Sequence, residues 1–201
     1  MNVDFKIEWK FIIVELVVLF LCIIFIDVYM IVKHNSTTKK YYSGNFKGLV
    51  KELKRLQSVS NIFSKNPRSK NREMIFNTTC IFLASISLLN GDENGFILEL
   101  NKVKNEKRCE IKPFMLSLFF KSKNDIQNAE MYYQVFRKCE HSNKSMIVVM
   151  DYLFVNEDTI TIEEFTNAVN TFRNPAIIKL LNTMQSGDGK TGGKTGDGSV
   201  S

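Results

Sequence analysis

Basic side chains are concentrated in one part of this sequence, where their chemistry suits an anionic surface. Residues 33–72 hold eleven Lys or Arg and one acid, a net charge of +10 in a chain whose total is +6. Near an anionic membrane each such cation contributes about 1 kcal/mol of attraction. We therefore predict a lipid-headgroup surface formed by Lys33, Lys39, Lys40, Lys47, Lys51, Lys54 and Arg55. A basic flank that orients a membrane helix, followed by a solvated helix face, gives the same pattern.

Two acids, Glu15 and Asp27, interrupt an otherwise apolar run at residues 11–32, where 20 of 22 residues are apolar. Ionisable groups inside a membrane are candidates for function, because they need a partner there. One prediction is that either acid pairs with a basic side chain on a partner helix. The alternative is that each acid lies within one or two turns of an interface and reaches water.

The apolar run is predicted to be a permanent transmembrane helix. At about 1.5 Å per residue, residues 11–32 cover roughly the 30 Å of hydrocarbon in a bilayer. A cleaved signal peptide has a shorter apolar run followed by small residues, whereas Lys33, His34 and Asn35 follow here. Insertion remains favourable with both acids present, because the many Leu, Ile, Val and Phe residues outweigh them.

The flanking charges predict a single-pass protein of the cell membrane whose C-terminal domain is cytoplasmic. Lys6 and Lys10 precede the run, while five lysines follow it within about 20 residues. The three cysteines of the later chain show no paired spacing, which fits a reducing compartment. Two alternatives stay open: the domain lies outside the cell, or the uncharged stretch at residues 74–89 is a second membrane segment rather than a core helix.

Two motif-like stretches near the C-terminal end do not match binding sites. The glycine-rich tail holds two Gly-Lys-Thr triplets, but a phosphate loop would need glycine where Asp188 stands and a strand before it. Glu164 suits the twelfth position of a calcium-binding loop. The first and third positions would then be Leu153 and Val155, which offer no side-chain oxygen ligands.

No catalytic, cofactor or metal site is predicted. Cys139 and His141 are close in sequence, but a metal site needs a further pair, and the other histidine, His34, adjoins the apolar run. The acids of residues 73–184 form no recognisable hydrolytic pair. Nucleic acid is not an expected partner, because no known reader motif accompanies the basic residues. We therefore expect no enzymatic activity.

The chain after the apolar run is predicted to be all α-helical, since apolar residues recur at three and four positions and strand-like alternation is absent. The predicted helices lie near residues 46–63, 70–90, 96–103, 113–121, 125–138, 144–155, 162–172 and 175–184. Pro113 and Pro175 suit first helical turns, the latter after Asn174 as a candidate cap. Thr161 and Glu164 are spaced as a capping box.

An internal repeat links two of these helical segments, residues 41–53 and 88–100. Aligned without a gap, Gly44, Gly48, Glu52 and Leu53 match Gly91, Gly95, Glu99 and Leu100. Looser copies place Phe120, Asn124, Ala129, Tyr133 and Phe136, and then Phe154, Phe165, Ala168 and Phe172, in similar roles. The pattern resembles tetratricopeptide-like helical repeats, a family with a period of 34 residues. That resemblance implies stacked helical hairpins whose groove binds peptides or partner proteins.

The predicted order of parts is a single transmembrane helix followed by a helical-hairpin domain. The segments are a short N-terminal tail (1–10), the transmembrane helix (11–32), a basic juxtamembrane segment with the first helix (33–72), the helical-hairpin domain (73–184) and a disordered glycine-rich tail (185–201). We expect a membrane-anchored interaction or scaffold module with a protein partner. The alternative is a small membrane regulator that acts on another integral membrane protein through Glu15 or Asp27.

Overall fold

Helices make up all the regular structure in the described part of the chain. The computed structural model describes residues 5–63, 70–104, 109–140, 143–155 and 160–188. Within these ranges the nine helices are α1 (Phe5–Tyr42), α2 (Leu49–Phe63), α3 (Lys70–Leu89), α4 (Glu93–Asn101), α5 (Ile111–Ser122), α6 (Ile126–Arg137), α7 (Lys144–Phe154), α8 (Ile162–Asn170) and α9 (Pro175–Asp188). The all-helical prediction is confirmed, and the predicted helices agree with α2 to α9 to within a few residues.

The first helix, α1, is longer than the predicted membrane helix. It runs unbroken for 38 residues, or about 57 Å at the usual rise per residue. Residues 33–42, which we assigned to the juxtamembrane segment, therefore continue the same helix. No proline or glycine interrupts α1, and it ends just before Gly44, whose φ of 72° is left-handed.

The turns after α1, α3 and α5 share one backbone geometry. Each has a residue in the left-handed conformation close after the end of the helix: Gly44 (φ 72°), Gly91 (φ 82°) and Asn124 (φ 59°). In each turn the next amide donates to the carbonyl five residues earlier, over 2.8 to 3.0 Å: Asn45 to Lys40, Asp92 to Ser87 and Asp125 to Phe120. Glycine and asparagine are the residues that tolerate this conformation best. The predicted repeat thus has matching turns, while its stacking as a solenoid stays a prediction.

The second glycine of the repeat is not structurally equivalent in its two copies. Gly48 has a φ of 71° and directly precedes α2. Gly95 lies inside α4, where a Cβ atom would come within 2.0 Å of the Asp92 carboxylate. That carboxylate caps α4 by accepting from the Gly95 amide over 2.8 Å. Glycine is favoured at Gly48 by its left-handed dihedral angle, whereas at Gly95 a larger residue would require the Asp92 side chain to move.

Contacts divide the chain into two units, Met1–Thr79 and Cys80–Ser201. In Met1–Thr79, α1 packs against α2 around a small apolar cluster. Its fully covered members are Met30, Leu56 and Ile75, with Ile26 and Val59 packed beside them.

The unit Cys80–Ser201 has a much larger core, centred on α5. Phe114, which is completely buried, stacks on Phe172 with ring centroids 5.5 Å apart and lies 6.0 Å from the ring of Phe136. The hydroxyl of Ser117, also buried, donates to the carbonyl of Ala129 over 3.0 Å, which joins α5 to α6. The same helix therefore contributes both the aromatic centre and a satisfied polar contact.

Two predicted helix caps are confirmed in this unit. The Glu164 amide donates to the Thr161 hydroxyl over 3.2 Å, and the Thr161 amide donates back to the Glu164 carboxylate over 2.9 Å. The hydrogen bond from the Thr161 amide, followed by one that the Thr161 hydroxyl donates to the same carboxylate over 2.9 Å, lowers the pKa of Glu164. Before α9, the side-chain oxygen of Asn174 accepts from the Ala176 amide over 2.9 Å.

Candidate functional site

The basic residues singled out in the sequence, together with Asp27 and Glu15, all lie in the unit Met1–Thr79. One of these basic residues, Arg72, forms an ion pair with Asp27 that we did not predict from the sequence. Its Nε donates to Oδ1 of Asp27 over 2.6 Å, and its Nη2 donates to Oδ2 over 2.7 Å. The Arg72 side chain is 13% exposed and that of Asp27 is 41% exposed. Two parallel bonds of this kind are the geometry that guanidinium and carboxylate groups favour.

The position of Asp27 on α1 coincides with a change in how that helix is covered. Every residue from 11 to 25 is exposed. Beyond Asp27, one face of α1 is buried by protein at Met30, Thr37 and Tyr41, spaced seven and four residues apart as a helical stripe requires. The uncovered side stays apolar as far as Val32, which is 61% exposed, and beyond it exposes polar residues such as Asn35, Ser36 and Lys39. The acid therefore lies where an uncovered apolar helix becomes part of a folded hairpin.

A second ion pair closes the same hairpin near its turn. Lys40 Nζ lies 2.6 Å from Glu52 Oε1, and Lys33 Nζ lies 3.9 Å from Glu52 Oε2. The hydrogen bond from Lys40 lowers the pKa of Glu52. Two of the seven predicted headgroup residues are thus engaged by an acid of the same chain.

Three other members of the predicted headgroup set line an open groove between α1 and α2, which we call the basic groove. Its volume is about 940 Å³, and its lining residues are Tyr29, Gly48, Val50, Lys51, Lys54, Arg55, Ser58 and Val59. Among the described residues, no carboxylate lies within 4 Å of Lys51 or Lys54. The remaining two members, Lys39 and Lys47, are exposed and do not line the groove.

The helical period of α2 explains why these cations share one surface. Lys51, Lys54, Arg55 and Ser58 are three or four residues apart and so lie on one face of the helix. The other face is buried: Leu49, Leu53, Leu56 and Ser60 are 3% exposed or less. Burial of that apolar face fixes the rotation of α2, which in turn directs the cations into the groove.

Other predicted residues take no part in this site. Glu15 lies on the exposed part of α1. His141, residues 157–159 of the rejected calcium loop and residues 189–201 of the glycine-rich tail fall outside the described residues. In the described part of the chain, no group of three or more His, Cys, Asp or Glu side chains is placed to hold a metal ion.

Sequence reasoning did not identify Arg72 as the partner of Asp27. The two residues are 45 positions apart, and Arg72 counted only as one charge among eleven in the basic segment. Nor did it identify Tyr29 and Val59 as lining the basic groove. The groove could have been predicted only from the alignment of α1 with α2 that places Tyr29 beside Val59. That alignment depends on the turn at Gly44 and on how closely the two helices pack.

Two described helices are long and apolar enough to cross a membrane. In α1 none of the most apolar stretch is buried, whereas in α3 56% of it is buried by protein. The N-terminal helix is therefore a candidate span or signal sequence. Comparison with protein-family models, with curated proteins and with solved structures found no match to this chain.

Proposed function

We propose that this chain is a single-pass membrane protein whose cytoplasmic helical domain serves as an interaction scaffold. The observation that carries the proposal is the exposure of α1 over residues 11–25. The large apolar side chains of this stretch are 40% to 80% exposed. A contiguous apolar surface of this size marks a membrane or protein contact rather than a water-facing helix.

The energetics favour a bilayer as the environment of this stretch. Residues 11–25 contain thirteen Leu, Ile, Val or Phe residues and one acid, Glu15. On the insertion scale those residues contribute about 4 to 8 kcal/mol in favour of the membrane, against at most about 3 kcal/mol for the acid. Residues 26–32 extend the span on their uncovered face, which includes Val28 and Ile31.

The ion pair at Asp27 supports a scaffold over a regulator that works through its membrane helix. A free intramembrane carboxylate recruits a basic group from another protein. Here Arg72 of the same chain already occupies both carboxylate oxygens of Asp27. The pair neutralises the acid at the end of the uncovered stretch, so the hairpin is held close to the membrane without a second protein.

The distribution of exposed apolar residues in Cys80–Ser201 supports a protein partner. Among its described residues, four large apolar side chains that are at least 48% exposed lie on α4, α6 or α8: Leu98, Ile126, Met131 and Ile162. The buried centres of protein interfaces are more apolar than the rest of the protein surface, and Met is among the residues enriched there.

Membrane insertion and orientation are tested in one preparation of cells. We expect the full chain to stay in the pellet after alkaline carbonate extraction. The variant Ser201→Cys is expected to react with an impermeant thiol reagent only after lysis, with the unmodified chain as the control for its four native cysteines. Release by carbonate would contradict the anchor, and labelling of intact cells would reverse the orientation.

The scaffold role is tested on the exposed apolar residues. A triple variant, Leu98→Asp, Ile126→Asp and Ile162→Asp, should abolish co-purification of the protein partner from native membranes while leaving the helical circular dichroism unchanged. The matched control places the same charges at the exposed neutral polar positions Asn94, Gln127 and Asn170 of the same three helices. Equal partner recovery from the two variants would exclude these residues as the binding surface.

A further inference from the structure

The basic groove is the structural feature that the proposed function leaves unused. It combines Lys51 and Lys54, which have no carboxylate of the described chain within 4 Å, and Arg55 with an apolar border on a helix we place in a membrane. The proposed membrane anchoring accounts for the exposed half of α1, the Asp27–Arg72 pair and the Lys40–Glu52 pair. None of these requires Lys51, Lys54 and Arg55 to share one open surface.

We propose that the basic groove is a binding site for the headgroup of an anionic phospholipid. This inference rests on the proposed membrane anchoring and names a lipid partner for the same hairpin. It narrows the predicted headgroup surface from seven basic residues to three. The other four are excluded by their contacts or positions, since Lys33 and Lys40 contact Glu52 and Lys39 and Lys47 do not line the groove.

The apolar and the basic residues of the groove lie towards opposite ends, in the order that the acyl chains and headgroup of a lipid require. Residues 43–48 form a tight turn between α1 and α2, which pack together and so run in opposite directions. Moving along α2 from Gly48 to Val59, about 16 Å, therefore leads towards the uncovered apolar part of α1. At that end the groove is bordered by Tyr29 and Val59, and the cations follow towards the turn.

That order of groups matches the order of groups in a phospholipid. Acyl chains would lie along the exposed apolar face of α1, where Val28 is 53% and Val32 61% exposed. The phosphate would then reach Arg55, whose planar guanidinium binds phosphate with two hydrogen bonds. Lys51 and Lys54 add point charges on the same face of α2. Neither has an acid of the described chain within 4 Å that would compete for it.

A soluble anion or an acidic protein segment would use the cations but not the apolar border. Tyr29 is 47% exposed and adjoins the exposed run of α1, so a ligand that ended at the phosphate would leave that border unoccupied. The observations therefore favour an anionic lipid. The experiment includes a soluble phosphate arm to separate the two sources.

The test is native mass spectrometry of the full chain released from neutral detergent micelles. The micelles contain equal amounts of phosphatidylglycerol and phosphatidylcholine. We expect the unmodified chain to retain phosphatidylglycerol selectively. The variant Lys51→Gln, Lys54→Gln and Arg55→Gln should lose about 100-fold in phosphatidylglycerol affinity, given the usual contribution of each cation near an anionic surface.

A variant with the same charge change elsewhere in the unit is the matched control. Lys39→Gln, Lys47→Gln and Lys70→Gln remove three exposed cations that do not line the groove. This variant should keep its phosphatidylglycerol selectivity to within about threefold, because only diffuse attraction is reduced. Equal losses in the two triple variants would show a general polybasic attraction and overturn the groove as a site.

Two further arms separate the other outcomes. Millimolar inorganic phosphate should not displace phosphatidylglycerol, and full displacement would identify a soluble anion as the ligand and contradict the lipid assignment. The same preparations are extracted with alkaline carbonate. A chain that resists extraction but shows no lipid selectivity contradicts only this inference, whereas a chain that carbonate releases contradicts the membrane anchoring itself.

Discussion

The two units of this chain differ in how much apolar core stabilises them. Cys80–Ser201 has a continuous core in which 21 described residues are buried together, including stacked aromatic rings. The buried apolar residues described in Met1–Thr79 are fewer, namely Met30, Tyr41, Leu49, Leu53, Leu56, Ile75 and Phe76, and they are accompanied by the ion pairs Asp27–Arg72 and Lys40–Glu52. Ion pairs between helices are therefore a larger share of the described contacts in Met1–Thr79.

This difference between the two units follows from the exposure of α1. The apolar residues of α1 at positions 11–25 are exposed and not part of a protein core, so little apolar surface of α1 remains to hold α2 and α3 against it. Ion pairs between specific atoms replace part of that missing contact. They also fix the positions of α2 and α3 along α1, because a bidentate pair such as Asp27–Arg72, between α1 and α3, tolerates little sliding.

The largest effect is expected from removing the centre of the Cys80–Ser201 core. Phe114→Ala deletes a completely buried ring that stacks on Phe172, and such truncations cost about 3 to 5 kcal/mol. Hydrogen exchange of the full chain should show lost protection in peptides from this unit. The matched control is Leu98→Ala, at a side chain 61% exposed, where a change within about 0.5 kcal/mol is expected.

Local sequence signals predicted the helices because each signal acts within a few residues. The capping box at Thr161 and the cap at Asn174 satisfy backbone groups of their own helix, so their spacing alone identifies them. The C-terminal end of α1 was harder to predict from the sequence. We ended the helix after its apolar residues, but nothing in residues 33–42 breaks it, and α1 continues to Tyr42.

The types of residue in the candidate site could be predicted from the sequence, but their arrangement in space could not. The basic residues and Asp27 were visible as types of residue, yet their grouping depends on how α1, α2 and α3 pack. Asp27 pairs with Arg72 rather than reaching water, and Lys40 is occupied by Glu52. The repeat illustrates the same limit. Gly44 and Gly91 are equivalent turn residues, while Gly48 and Gly95 match in the alignment and differ in backbone conformation.

An intermediate effect is expected at the ion pair that anchors α3 to α1. A double-mutant cycle with Asp27→Asn and Arg72→Gln should give a coupling energy of about 1 to 2 kcal/mol, between the values for exposed and buried pairs. The reason is that the arginine is largely covered while the carboxylate is partly exposed. Thermal unfolding of the full chain in neutral detergent micelles measures it.

The control for that cycle is the pair Lys123–Glu93 in Cys80–Ser201, whose side chains are 48% and 47% exposed. Its coupling should be about 0.3 kcal/mol, as for other solvent-exposed pairs. If the cycle at Asp27 gave no more than this, charge would not explain the stability of Met1–Thr79. The contrast between the two units would then need another cause.

The smallest effect is expected from acidification, and it should appear in Met1–Thr79 through Glu52. The hydrogen bond from Lys40 lowers the pKa of Glu52 below its ordinary value of 4.5. A carboxyl group with a lowered pKa in the folded state contributes stability that is complete above its ordinary pKa and is lost as the pH falls through the lowered one. Because Glu52 is 28% exposed and screened by solvent, the loss of stability should be at most about 1 kcal/mol.

Hydrogen exchange of α2 peptides between pH 6 and 3, corrected for intrinsic exchange rates, measures this loss of stability. Glu52→Gln should remove this part of the pH dependence, and Lys40→Gln should reduce it. A pH profile unchanged by both variants would mean that the Lys40–Glu52 pair does not stabilise the hairpin, leaving Asp27–Arg72 as its principal ionic contact.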